Sequence, residues 1–317
     1  MTPGRPFQIL SLDGGGYRGL FSAAVLAAFE EDLGRPVVEH FDMVTGTSTG
    51  GIIALALGAG LSPRRVIEFY EEHGPRIFAR SWLRRLKHPF HSKYPAGPLR
   101  DALESVFGDR TLAQSRVRLV VPSYSLTDDR VYLFKTPHHE RLRRDWRVPM
   151  VDVAMATSAA PTYFPAFEFD RQRLVDGGMW ANNPATIGIA EAVSMCGVSL
   201  DSIRVFSLGT TSDLKPRAPR LNRGGLVQWS TAGVDVLLHG QSIAACNLAV
   251  HLIGESNVFR VDPDVPPGLL RLDGVNPDEL IGRARAESRR CLPKFCDTFG
   301  EHRAPPFVPI YTLPEVS

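Results

Sequence analysis

Two short apolar runs, each stopped by glycines and each followed by a helix pattern, constrain this chain more than any other feature of its sequence. Phe7–Leu12 ends at Asp13-Gly-Gly-Gly16, after which Phe21, Val25, Ala28 and Phe29 recur at helical spacing until Gly34. Residues 41–45 form the second run, which meets another glycine-flanked turn and an apolar helix over residues 51–59. Parallel strands cannot be joined by a hairpin and need a crossover helix, so strand, tight turn and buried helix in repetition predict an α/β fold with a mostly parallel sheet. Ser62-Pro63 supplies an N-cap and a first-turn proline for a helix through about His73. Residues 117–123 and 130–134 read as strands around an Asp-rich turn, and residues 205–208 as another strand. An irregular loop over residues 212–225 precedes helical patterns near residues 227–255 and 277–291.

With 317 residues, 44% hydrophobic and 22% charged, the chain can bury one large core. No Gly/Ser-rich or like-charge linker divides it, so residues 1–317 read as one domain: a motif-bearing core over about 7–210 and a helical C-terminal extension over about 226–317. A net charge of +2 calls for neither nucleic acid nor membrane, and no DNA or RNA partner is expected. The four cysteines, Cys196, Cys246, Cys291 and Cys296, have no metal-ligand spacing; free thiols, no metal and no cofactor are the expectation. The N-terminal residues lack the regions of a signal peptide. The longest apolar stretch, residues 51–61, falls short of the roughly 20 residues a bilayer span needs, so a cytoplasmic protein is expected.

Gly46-Thr-Ser48-Thr-Gly50 is a GxSxG between a strand pattern and a helix pattern, the context of a nucleophile elbow. Such an elbow forces the serine into a strained backbone that exposes its oxygen, and the small residues on either side let strand and helix approach. A glycine-bearing turn with an incidental serine gives the same five letters.

Asp13-Gly14-Gly15-Gly16-Tyr17-Arg18-Gly19 offers consecutive backbone N–H groups that can converge on an oxyanion, with Arg18 to brace the loop or add positive potential. Gly14, Gly16 and Gly19 also spell GxGxxG, the dinucleotide fingerprint. That rival needs an acid at the end of the next strand; Glu30, Glu31, Asp32 and Glu39 precede it and Asp42 lies near its start. Asp176-Gly177-Gly178, after Leu174-Val175, places a carboxylate with little steric shielding where it could act as a base, although Asp-Gly-Gly is more often a plain turn.

Together the three motifs resemble the patatin-like phospholipase family. Residues 13–19 are similar to its oxyanion-loop motif, residues 46–50 to its nucleophile motif and residues 176–178 to its catalytic-aspartate motif, in matching order. Ala156-Thr-Ser158-Ala-Ala-Pro161 with Phe164-Pro165, and Ser207-Leu-Gly-Thr210, are similar too. The resemblance implies a three-layer α/β/α fold and a Ser–Asp dyad: Ser48 as nucleophile, Asp176 as base, Gly14, Gly15 and Gly16 as oxyanion donors, and Arg18, Gly46, Gly50, Gly177 and Gly178 in support. None of the nine histidines then has a catalytic role, and His239 and His251 read as satisfied structural residues within a helix.

The implied activity is cleavage of fatty-acyl esters of membrane phospholipids. The same acyl-enzyme would serve acyl transfer; a nucleotide-binding oxidoreductase and an inactive scaffold are the readings from other classes. Residues 80–93, which mix Arg84, Arg85 and Lys87 with Trp82, read either as a surface docking on anionic lipid, peripheral to the inner membrane, or as a solvated helix end. The wording of residues 7–20 is similar to bacterial patatin-like effectors of cyclic-oligonucleotide antiphage defence, which implies a cyclic dinucleotide activator. Arg217, Arg220 and Arg223 could meet its phosphates, though a solvated loop is the preferred reading there.

Overall fold

A computed structural model of the chain describes residues 5–79, 91–213, 219–265 and 276–312. Strand β1 (Phe7–Leu12) leads through the glycine loop into helix α1 (Gly19–Leu33), and β2 (Met43–Gly46) turns directly into α2 (Thr49–Gly58). Then follow α3 (Pro63–Ile77), α4 (Gly97–Phe107), β3 (Arg118–Ser125), β4 (Arg130–Lys135) and α5 (Met150–Thr157). Next come β5 (Phe167–Phe169), β6 (Gln172–Asp176), α6 (Gly178–Ala181), α7 (Ala185–Cys196), β7 (Ile203–Leu208) and β8 (Ser212–Asp213). The long α8 (Leu226–Ile253), β9 (Val258–Val261), β10 (Asp264–Val265) and α9 (Pro277–Phe295) complete the list.

The central sheet runs β5-β6-β3-β2-β1-β7-β9, with β4 on the free side of β3. Its centre, β3-β2-β1-β7-β9, is parallel throughout; β4, β5 and β6 join antiparallel. Both faces are covered, as a parallel sheet demands. On β1 the side chains alternate: Leu10 and Leu12 enter a large core with α1, α2, α3 and α9, whereas Phe7 and Ile9 enter a second core with α7 and α8. This is the expected α/β architecture with a mostly parallel sheet and flanking helices.

Element ends moved modestly. Ser62 caps α3 by accepting from the Arg65 N–H, but the helix runs past His73 to Ile77, where Gly74 and Ile77 extend its buried stripe. Helices α4, α5 and α7 go beyond the elements the sequence predicts: α5 and α7 have no strong periodic pattern and are held mainly by tertiary burial, whereas α4 is amphipathic, with Leu99, Ala102, Leu103 and Phe107 buried along one face. The apolar reading also needs correction: Ala232–Ile253, within α8, is long and apolar enough to cross a bilayer, with a mean hydropathy of 1.4 over its best window. Polar residues spaced singly along it, Asp235, His239, Gln241 and Asn247, interrupt every uninterrupted run and hide it from a count of consecutive apolar letters.

One topological detail positions the site. β2 pairs with β3 at Arg118–Val120 and β6 pairs with the same edge of β3 at Ser123–Ser125, while β4 occupies the opposite edge. β2 and β6 therefore run toward each other and stop at Pro122, a residue that cannot donate to a ladder and, on this edge, has none to join.

Candidate active site

Ser48 follows β2 with φ 54° and ψ −122°, a region an L-residue occupies only under constraint. The constraint is close contact. A Cβ on Gly46 would lie 2.2 Å from the Gly50 carbonyl oxygen, and one on Gly50 2.3 Å from that of Leu12, so only glycines let α2 start this near β1 and β2. Three hydrogen bonds fix the turn. The Thr47 hydroxyl donates to the Ala181 carbonyl at 2.6 Å, and the Ser48 N–H donates to Thr157 Oγ1 at 3.0 Å, which itself donates to the Pro122 carbonyl at 2.6 Å.

Asp176 ends β6 opposite Ser123 and faces this elbow. The Ser48 hydroxyl lies beside its carboxylate and favours the ionised form, and the Gly178 N–H donates to Oδ1 at 2.7 Å. Burial lifts Asp176 to a pKa of about 6; the nearby Ser48 hydroxyl and the Gly178 N–H pull the other way without cancelling it. Gly177 is required because a Cβ there would come within 2.3 Å of the Pro122 carbonyl oxygen. Ser48 and Asp176 thus meet at the gap in β3 that both partner strands leave open.

The glycine loop lies against the nucleophile: a Cβ on Gly14 would sit 3.4 Å from the Ser48 Cβ. The Gly14 N–H donates to the Asn182 carbonyl at 3.0 Å. The Gly15 and Gly16 N–H groups take no acceptor among the described residues, and Gly16 adopts φ 60°. Arg18 braces the loop, its Nε donating to the Gly15 carbonyl at 3.3 Å and Nη1 to the Thr211 carbonyl at 3.1 Å.

Beneath the loop lies a charged network that the sequence reading missed. Arg260, on β9, donates to both carboxylate oxygens of Asp13, at 2.8 and 2.6 Å, and to Asp262 and Ser207, each at 2.8 Å. Asp13 is buried and pushed up to about 6, the desolvation only partly offset by the guanidinium, while Arg260 is held still more firmly protonated by the two carboxylates. Ser242 of α8 stands beside Asp13 and accepts from Asn182 Nδ2 at 2.9 Å, so one hydroxyl lies between the glycine loop, the chain after Asp176 and the long helix. A strand reading Val-Phe-Arg-Val-Asp, charged within an apolar run, was the available signal for Arg260.

Other expectations fare differently. His239 and His251 are exposed on α8, not packed as structural residues, because that helix buries only one narrow face. The histidines that are buried, His40, His138 and His302, bind backbone or carboxylate partners away from Ser48. Asp42, the acid nearest to a ribose-holding position, spends its carboxylate on the Gln8 N–H and His302. Arg80 to Phe90 of the basic stretch and Arg217 lie outside the described residues. Arg223 is exposed at the end of a short turn, Pro219–Arg223.

The sequence model of the patatin-like phospholipase family matches residues 10–189. The chain belongs to the patatin-like phospholipase family. It is thereby an enzyme of the lipid-ester hydrolase class, and the dinucleotide reading of Gly14, Gly16 and Gly19 is overturned. A Pseudomonas aeruginosa protein named cGAMP-activated phospholipase is 36% identical, covering 96% of this chain and 95% of that protein. A Vibrio cholerae protein of the same name is 33% identical over 82% of each. Among solved structures, VipD from Legionella pneumophila shares the fold with a TM-score of 0.52 and 12% identity, covering 93% of this chain and 67% of that one.

Proposed function

We propose that this patatin-like phospholipase hydrolyses fatty-acyl esters of membrane phospholipids through a Ser48–Asp176 dyad, and that a cyclic dinucleotide switches it on. The observation that supports the dyad is the Asp176 carboxylate standing beside a Ser48 held at φ 54°. Asp176 takes the hydroxyl proton as Ser48 Oγ attacks the ester carbonyl; collapse of the tetrahedral intermediate expels the lysolipid alcohol, which receives the proton back from Asp176. Water, deprotonated in turn by Asp176, attacks the acyl-enzyme and releases the fatty acid. A carboxylic acid with a pKa near 6 suits both halves of that cycle at neutral pH.

The oxyanion donors are the Gly15 and Gly16 N–H groups, with Gly14 holding the loop to Asn182. Gly46, Gly50, Gly177 and Gly178 serve by permitting close approach and Arg18 by bracing the loop. The activator rests on the relatives' name and on their coverage of nearly the whole chain. On this reading the protein works at the inner membrane surface from the cytoplasm, in antiviral defence, as one domain spanning residues 1–317.

Fatty-acid release from mixed phospholipid vesicles, measured for the wild-type chain and Ser48→Ala with and without a panel of cyclic dinucleotides including cGAMP, tests every part. Release that needs both Ser48 and one nucleotide is expected. Serine-dependent release without any nucleotide removes the switch, and transfer of the acyl group to an added alcohol in place of release favours the transferase.

A further inference from the structure

Helix α8 exposes an apolar stripe. Val234, Leu237, Leu248 and Leu252 are 54%, 65%, 54% and 47% exposed, and with Gln241 and Ala245 they recur at three- and four-residue steps along one face. Only 17% of the helix's apolar window is buried within the protein. Ser242, Ala249 and Ile253, each one position after a stripe residue and so about 100° round the helix, are buried, the last two in the second core, so the helix lies along the domain with the stripe at its flank.

The stripe borders the active site. Gln241 Nε2 donates to the Met179 carbonyl at 3.0 Å, and Met179, three residues after Asp176, is itself 52% exposed. Leu238 reaches toward Gly178, and Ser242 accepts from Asn182 and stands beside Asp13. The apolar stripe of α8 and the exposed Met179 beside Asp176 are therefore neighbours, with α8 held to the chain after Asp176 through Gln241 and Ser242.

From this geometry we infer that α8 is the helix on which the enzyme docks to the bilayer, lying in the interface with Val234, Leu237, Leu248 and Leu252 among the acyl chains. The inference rests on the phospholipid reading above. A second copy of the chain would be the other occupant, but four side chains about half exposed present on the order of 400 Å², less than the about 800 Å² per partner of a standard interface. A bilayer imposes no such threshold, and it must meet the surface around the mouth whenever a lipid carbonyl reaches Ser48. Between Leu226 and Ile253 there is one acid, Asp235, and no Lys or Arg. Docking through this helix is hydrophobic and depends little on headgroup charge or salt.

The test compares the full chain with Leu237→Asp/Leu248→Asp and, independently, Val234→Lys/Leu252→Lys, all changes of exposed side chains outside the dyad and the glycine loop, in the presence of cGAMP. Flotation with phosphatidylcholine vesicles, in a Ser48→Ala background, reads docking without hydrolysis. Hydrolysis is read on the same vesicles and on a short-chain phosphatidylcholine dispersed as monomers. Both variants are expected to lose vesicle binding and vesicle hydrolysis by about tenfold or more, while monomer hydrolysis stays within about twofold of wild type and added salt changes little. Unchanged flotation overturns the inference, as does an equal loss on vesicles and monomers, or a fall from dimer to monomer on sedimentation, which would assign the stripe to a second copy. If the wild-type chain hydrolyses neither substrate, the phospholipase mechanism fails and flotation still decides the docking.

Discussion

Arg260 grips Asp13 through two hydrogen bonds, at 2.8 and 2.6 Å, and so ties the start of the glycine loop to β9 across the width of two strands. Breaking a buried pair by removing one partner leaves an uncompensated charge, which costs about 3–5 kcal/mol. Arg260→Met is expected to destabilise the protein by that amount in urea unfolding and to cut kcat sharply, because the loop bearing Gly15 and Gly16 loses its anchor. Adding Asp13→Asn to that variant removes the stranded charge and should recover a large part of the stability but not of the activity. A double variant no more stable than Arg260→Met would show that the pair matters by packing alone.

Asp176 sets the pH dependence. As the base it must be ionised, so kcat/KM should rise with pH through a midpoint near about 6. Stability runs the other way. The carboxyl's folded pKa lies above its ordinary 3.8, so the native state binds the proton more tightly than the unfolded chain. The desolvation cost is present in full above about 6 and fades as pH falls toward 3.8. Asp176→Asn should be inactive yet more stable than wild type at pH 8, by up to about 3 kcal/mol, with the gain closing toward pH 4. Thermal unfolding of both proteins across that range measures it; a difference constant with pH would mean that Asp176 is not held in its shifted state.

The backbone at Ser48 gives a third expectation. At φ 54° and ψ −122° a side chain is strained and glycine is not, so Ser48→Gly should be about 1 kcal/mol more stable than Ser48→Ala, both being inactive. Chemical denaturation of the two variants side by side tests whether the elbow stores strain.

What could be read in the sequence follows from how local each signal is. Residues 7–19 and 41–58 announce their strands, turns and helices because glycines and apolar runs encode them within a few positions. The meeting of Ser48 with Asp176, 128 positions later by the numbering, was legible only through the resemblance of joint motifs. Nothing local says that β2 and β6 stop head to head on β3. Arg260 and Ser242 were invisible for the same reason: each acts on the glycine loop from beyond residue 240, through pairings the chain makes only when folded. The exposure of His239 and His251 could not be deduced from helical spacing, since a helix pattern gives faces but not which of them is covered.

Thr157 shows how far the elbow depends on a residue outside the dyad. Its hydroxyl accepts from the Ser48 N–H at 3.0 Å and donates to the Pro122 carbonyl at 2.6 Å, spanning the gap where the ladder of β3 is unpaired. Thr157→Val keeps the shape and deletes both bonds, leaving a buried donor and a buried acceptor unmatched at about 1–3 kcal/mol each by the general cost of such groups. Stability should fall by a few kcal/mol. Because the serine rather than the lipid-binding surface is displaced, kcat should drop more than KM changes, and Thr157→Ser, which restores the hydroxyl, should recover most of kcat. A Thr157→Val variant of lowered stability but undiminished kcat would place the control of the Ser48 backbone in the close glycine contacts alone.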